Sequence, residues 1–313
     1  MRWPAMHALS EQLRMPPGRA GIDLLGRLLR VTASMIARTG RPSHNAGRRA
    51  KVSRAHPAAG HVVLVGAGPG DPELLTLKAL RALQGADVVL YDHLVSDEVL
   101  TLVPARAERI AVGKKGYGKA CKQDEINVLM VALAAAGRRV VRLKGGDPLM
   151  FARLEEEIAA LEAARLGFTI IPGISAAQGA AARLRIPLTR RRGARRFQAI
   201  TGHADNGRLP DDFDWAGLAD PKATTAVYMP KATIGALCAG LMQRGLDAAH
   251  PAAAVFNATR PTERVLAATL ATLPERIAAA ASDEPCMILI GAAVRGNAPR
   301  SASEDVLEFA SAG

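Results

Sequence analysis

From residue 61 onward, short apolar and β-branched runs alternate with stretches whose apolar residues recur every three or four positions. The runs at 61–65, 87–91, 108–112, 139–143 and 168–171 read as strands. Between them, Leu74, Leu77 and Leu80 share one helical face, and Ile126, Leu129, Met130 and Leu133 share another. Glu155-Glu156-Glu157-Ile158 opens a third, alanine-rich helix. Such alternation predicts a parallel or mostly parallel sheet covered by helices. Pro172-Gly173 interrupts the series, and Ser175 to Leu184 reads as a short connecting helix. A second series follows, with strands at 196–201, 223–229, 252–257, 263–268 and 286–291 and helices around 233–244 and 274–281. The expected class is α/β: a domain over 61–172, a second over 173–300, a cleft between them, and a tail at 301–313.

Residues 1–60 depart from this pattern and change how the charge is read. The net charge is +12, but this segment holds eleven Arg and Lys against Glu11 and Asp23, which leaves about +3 on everything after it. The basic excess therefore belongs to a segment whose linker-like composition, rich in Arg, Pro, Ser, Gly and His, is expected to form a disordered extension. Arg27 and Arg30 split its only apolar stretch, so a secretory signal is not expected. No nucleic-acid partner is expected either, since the basic residues lack interleaved aromatics. The most apolar stretch of the body, Leu166 to Ala182, is broken by Pro172, Gly173 and Gln178, so no membrane span is expected. Cys121, Cys238 and Cys286 are far apart and odd in number, and no CxxC or HExxH occurs. A disulfide framework and a metal site are not expected, and a reducing cytoplasm fits.

Two glycine loops carry the candidate chemistry. Val62-Val63-Leu64-Val65 runs into Gly66-Ala67-Gly68-Pro69-Gly70-Asp71-Pro72, and Val140-Val141-Arg142-Leu143 runs into Lys144-Gly145-Gly146-Asp147-Pro148. In both, Asp-Pro is positioned to open a helix-like stretch. A dinucleotide fingerprint fails at position 71, where Asp replaces the required glycine and would oppose a pyrophosphate. A P-loop fails because Lys144 precedes its glycines. A glycine-rich site bounded by acids suits a cofactor without phosphate, such as S-adenosylmethionine. Asp71 reads as a simple helix cap, and Asp147 as a functional residue.

These loops belong to a longer ordered set of motifs. Val63 to Pro72 with Leu74-Leu75-Thr76-Leu77-Lys78-Ala79 is followed by Val89-Leu90-Tyr91-Asp92-His93-Leu94-Val95-Ser96, Val112-Gly113-Lys114-Lys115 and Gln123-Asp124-Glu125-Ile126-Asn127. Then come Arg142 to Pro148, Ile171-Pro172-Gly173-Ile174-Ser175-Ala176-Ala177, Ile186-Pro187-Leu188-Thr189, Thr201-Gly202-His203 and Tyr228-Met229. Over about residues 61–295 the chain resembles the uroporphyrinogen-III C-methyltransferases of the tetrapyrrole methylase family. The resemblance implies two α/β domains, a homodimer, and S-adenosylmethionine in the interdomain cleft. It further implies methylation of uroporphyrinogen III at C2 and C7, giving precorrin-2 by way of precorrin-1 for sirohaem or cobalamin synthesis, without a metal. The segment before residue 61 is too short for a fused dehydrogenase/chelatase domain.

Carried over residue by residue, the resemblance implies Asp92 as the base that removes a ring proton and Lys114 as a proton donor. It implies cofactor contacts at Pro69, Gly145, Gly146, Asp147, Met150, Ser175, Ala176, Met229 and Ala258. Eight substrate carboxylates call for a basic cleft, with Arg190 and Arg191 as the first choices and Lys115, Lys119, Lys122 and Arg142 as further ones. The chain departs from the family at several places. Phe151-Ala152-Arg153-Leu154-Glu155 replaces a glycine-rich stretch, which is expected to stiffen the segment and to place Leu154 bulk near the cofactor loop. Pro230 and Ala258 replace glycines, Arg190-Arg191-Arg192 replaces His-Arg-Asp, and Lys119 stands where a histidine is common. Two alternatives follow: a methyltransferase acting on a later precorrin, and a homologue that binds in the cleft without turnover.

Overall fold

The computed structural model describes residues 60–113, 122–204 and 207–294. The basic segment up to residue 59, Lys114, Lys115, Lys119, Cys121 and the tail at 301–313 lie outside the described residues.

The first sheet contains β1 (Val62–Gly66), β2 (Val88–Tyr91), β3 (Glu108–Ala111), β4 (Val140–Lys144) and β5 (Phe168–Ile171). Its order is β3-β2-β4-β1-β5, and every pairing is parallel. The central strands are covered on both faces, which is why they read as continuous apolar runs rather than alternating ones. One face packs against α3 (Gln123–Ala135) and α4 (Leu154–Ala163), through Leu64, Leu90, Met130 and Leu161. The other packs against α1 (Leu77–Gly85) and α2 (Asp97–Thr101), through Val65, Leu83, Val89 and Val99. The starts of α1 and α2 are fixed by Thr76 and Ser96, whose hydroxyls accept from Ala79 N and Val99 N. The chain leaves β1 toward one face and its neighbour β4 toward the other, so their carboxyl ends open a crevice of the kind that binds ligands in α/β sheets.

The second sheet contains β6 (Arg196–Thr201), β7 (Ala223–Tyr228), β8 (Pro251–Phe256), β9 (Arg264–Thr269) and β10 (Cys286–Gly291), in the order β6-β7-β10-β8-β9. Only β6 and β7 run parallel; the other three pairings are antiparallel. A loop without a helix joins β8 to β9, and parallel neighbours need a crossover of about a dozen residues or more. The short α6 (Trp215–Leu218) precedes β7. Helices α7 (Ile234–Gln243) and α8 (Leu273–Ala280) cover one face through Leu237, Leu241 and Ile277. Helix α5 (Ala176–Arg183) follows β5 in sequence but packs Ala177, Ala180 and Ala181 against Ala253, Val255 and Leu289 on the other face.

Leu154 corrects one sequence expectation. It is the first residue of α4 and is buried in the apolar cluster of the first sheet, among residues such as Val62, Ile126 and Met130. Ala152, Leu154 and Glu155 all have negative φ, so none of these positions needs glycine. The extra bulk fills core instead of crowding the cofactor loop. Leu154→Gly is expected to lower stability by about 2–4 kcal/mol in chemical denaturation, while calorimetry finds affinity for S-adenosylhomocysteine unchanged. A gain in that affinity would place the side chain in the cofactor space after all.

Candidate active site

The two glycine loops form one structure. Ala67 N donates to Lys144 O at 2.8 Å, Gly146 N to Gly68 O at 2.8 Å, and Gly68 N to Gly146 O at 3.1 Å. This reciprocal pair requires left-handed backbone at both glycines, with φ of 72° at Gly68 and 69° at Gly146. Behind them, a Cβ added at Gly173 would lie 2.4 Å from Gly146 O and 3.0 Å from Gly66 Cα, so three segments meet backbone to backbone. Of the two Asp-Pro steps, the first acts as the cap expected of it and the second does not open a helix. Asp71 Oδ1 accepts from Glu73 N and caps a 3₁₀ turn over Pro72–Leu74, with α1 starting only at Leu77. Asp147 Oδ1 accepts from Leu149 N, and Met150 N donates to Asp147 O, closing a turn before α4 rather than opening a helix.

The residues matched to cofactor contacts gather around this junction. Gly146 faces Ala176: a Cβ on it would meet only Ala176 N, at 3.8 Å. Ser175 caps α5 and is buried, with its hydroxyl accepting from Gln178 N at 3.3 Å. Pro69 lies against Gly179 of α5, where Thr259, the residue after Ala258, also packs. Thr259 Oγ1 accepts from Asp71 N at 3.1 Å, joining the first loop to the β8–β9 loop. On the remaining side the Phe151 ring, next to Met150, packs in a tilted arrangement against Tyr228 at the end of β7, with ring centroids 5.0 Å apart. Met229 follows with φ of 51° and is half exposed, and buried Pro230 accepts from Thr233 N through its carbonyl. The Tyr228 hydroxyl is buried without a hydrogen-bond partner among the described residues.

Asp92 directly follows β2, one strand from the second loop, and its amide donates to Leu143 O at 3.2 Å. The turn after it packs on that loop, since a Cβ at Gly145 would meet Leu94 Cβ at 2.7 Å. The Asp92 side chain is about 25% exposed and takes Arg142 Nη2 on Oδ1 at 2.5 Å. Arg142 is not a surface cation awaiting substrate: it is 2% exposed and also donates Nε to Glu157 Oε1 at 2.8 Å. Lys144, equally buried, donates to that same oxygen at 2.8 Å. Burial opposes the charge on Arg142, but Asp92 and Glu157 outweigh it and raise its proton affinity. Lys144 goes the other way, pushed below the ordinary lysine range by burial and by Arg142.

A cavity of about 480 Å³ opens beside the strand end, lined by Tyr91 and His93 on either side of Asp92 and by Gly113, next to Lys114. Its far wall is Asn257, Arg260 and Thr262 of the β8–β9 loop. Arg260 crosses to the carbonyl of Leu94 and packs over Gly70. The arginines around the expected substrate contacts differ in their surroundings. Arg190 donates to Ala293 O at 2.8 Å, which holds the end of the second sheet, whereas Arg191 and Arg192 are exposed. Burial pushes the Cys238 and Cys286 thiols up to about 12, so neither is poised as a nucleophile.

Arg142 as an Asp92 partner, Glu157 and Tyr228 were not singled out by sequence reasoning. A signal for Glu157 existed: with Leu154, Ile158 and Leu161 it falls on the apolar face of α4. Arg142 and Lys144 likewise interrupt an otherwise apolar central strand.

Among known proteins, a family model described as tetrapyrrole (corrin/porphyrin) methylases matches residues 61–274. The siroheme synthase of Methylococcus capsulatus is 44% identical over 294 residues, covering 91% of this chain and 62% of its own length. That coverage extends into residues 1–60, while the chain spans about half the length of other siroheme synthases it matches. The Thermus thermophilus uroporphyrin-III C-methyl transferase, solved with S-adenosylhomocysteine, superposes with a TM-score of 0.62 at 38% identity, covering 75% of this chain and 99% of its own. A cobalt precorrin-4 methyltransferase from cobalamin biosynthesis superposes with a TM-score of 0.68 at 27% identity, covering 79% of this chain and all of its own.

Proposed function

The chain belongs to the tetrapyrrole (corrin/porphyrin) methylase family, and on that premise we propose that it methylates uroporphyrinogen III at C2 and C7 with S-adenosylmethionine. The product is precorrin-2, formed by way of precorrin-1. The observation that carries this reading is the placement of Asp92, gripped by Arg142, one strand away from the joined glycine loops.

The loops fit the donor. Gly146 leaves its backbone open toward Ala176, and the Tyr228 hydroxyl offers an unmet hydrogen bond at the opposite side. Pro69, Gly145, Gly146, Asp147, Met150, Ser175, Ala176, Met229 and Ala258 would hold S-adenosylmethionine, which supplies an electrophilic methyl group. Pyrrole β-carbons are enamine-like nucleophiles, so alignment of the two partners supplies much of the rate. Asp92 would then take the one ring proton released for each methyl gained as the electrons rearrange, and any proton that Lys114 lends to the ring during that rearrangement returns to it, so one proton leaves per transfer. The exposed Arg191 and Arg192 meet substrate carboxylates, while Arg190 steadies their segment through Ala293. A homodimer working in a reducing cytoplasm completes the proposal; no helix among the described residues is long and apolar enough to cross a membrane.

The likeness to the cobalt precorrin-4 enzyme favours a second reading, methylation of a later precorrin. The two are separated by offering the protein each reduced tetrapyrrole anaerobically with S-adenosylmethionine. Precorrin-2 absorbance from uroporphyrinogen III supports the first reading, and turnover of only the later precorrin supports the second. Tight cofactor binding with neither product marks a binding protein.

A further inference from the structure

We infer that Glu157 is a positioning residue, which through the Arg142 guanidinium holds the Asp92 carboxylate in place for proton removal. The inference rests on the proposed role of Asp92 as base. Glu157 is fully buried on α4, and its Oε1 receives Arg142 Nε at 2.8 Å, Lys144 Nζ at 2.8 Å and Gln123 Nε2 at 3.3 Å. Arg142 Nη1 reaches Leu143 O at 3.3 Å, and Nη2 reaches Asp92 Oδ1. The guanidinium is planar, so fixing Nε and Nη1 also fixes the direction from which Nη2 meets the carboxylate. Only Oδ1 of Asp92 takes this bond, leaving its other oxygen for the proton.

A structural purpose alone explains the cluster poorly. Two cations and two carboxylates at a sheet–helix contact are costly to desolvate, and packed apolar side chains would join the same elements at least as well. The neighbours on this face are Leu64, Leu90 and Leu161. Arg142 differs from them in one consequence: it reaches the carboxyl end of the sheet, where Asp92 meets the crevice. Lys144 balances the second carboxylate, so the four side chains together are neutral.

The test is a double-mutant cycle on methyl transfer to uroporphyrinogen III, using Glu157→Gln, Asp92→Asn and their combination. Glu157→Gln is expected to lower kcat by about tenfold or more, with KM for S-adenosylmethionine and the Kd for S-adenosylhomocysteine unchanged. Combined with Asp92→Asn it is expected to add no further loss, because both changes remove one function. Should Glu157→Gln fail to fold, the cycle is read in a Lys144→Met background, where the substitution keeps the cluster neutral. An unchanged kcat in Glu157→Gln overturns the inference, and so do losses that multiply with Asp92→Asn. If Asp92→Asn alone turns over normally, the base assignment fails and takes this inference with it. A damaging Asp92→Asn beside a harmless Glu157→Gln removes only the positioning role.

Discussion

Asp92→Asn is expected to lower turnover of uroporphyrinogen III by about a hundredfold or more, with affinity for S-adenosylhomocysteine within about twofold of the parent. Asparagine keeps the shape and one acceptor oxygen for Arg142, so the strand end retains its geometry. What disappears is the group that takes the ring proton. The proposed cofactor contacts lie on other segments: the β1 and β4 loops, the start of α5, the end of β7 and the β8–β9 loop. Binding and chemistry should therefore separate. Steady-state kinetics beside calorimetry checks this, and equal losses of turnover and cofactor affinity would show that Asp92 shapes the site instead.

Gly173→Ala is expected to destabilise the protein by about 3 kcal/mol and to weaken S-adenosylhomocysteine binding by tenfold or more. The new methyl group would meet Gly146 O at 2.4 Å and Gly66 Cα at 3.0 Å. Both are backbone, so no side chain can rotate aside, and relief must come from parting the joined loops. Gly85→Ala is the control: nothing lies within 4 Å of its added Cβ, and the helical position favours alanine. It should fold with equal or higher stability. If the two substitutions gave similar melting temperatures and affinities, the junction would not be the close-packed centre of the cofactor site.

The ten strands were legible because their apolar runs are short and bounded by Gly, Pro and polar residues, and each observed strand falls within two residues of its expected span. The direction of the second sheet was less so: periodicity marks a strand but not its partner, and the helix-free β8–β9 connection was the clue to antiparallel pairing. Leu154 was misplaced because comparison with a glycine-rich motif says which residue changed, not which way it points. Helix phase puts it in the core with Leu161. Arg142 was read as substrate-facing from its charge alone. Its burial depends on Glu157 arriving from a helix fifteen positions later, a pairing that strand periodicity does not encode.

The most direct test of the proposed reaction is the mass of the tetrapyrrole recovered after anaerobic incubation of the purified protein with uroporphyrinogen III and excess S-adenosylmethionine. The account predicts a product heavier by two methylene increments, with a singly methylated species rising and falling before it. Recovery of unmodified uroporphyrinogen III, from protein that binds S-adenosylhomocysteine, would contradict it.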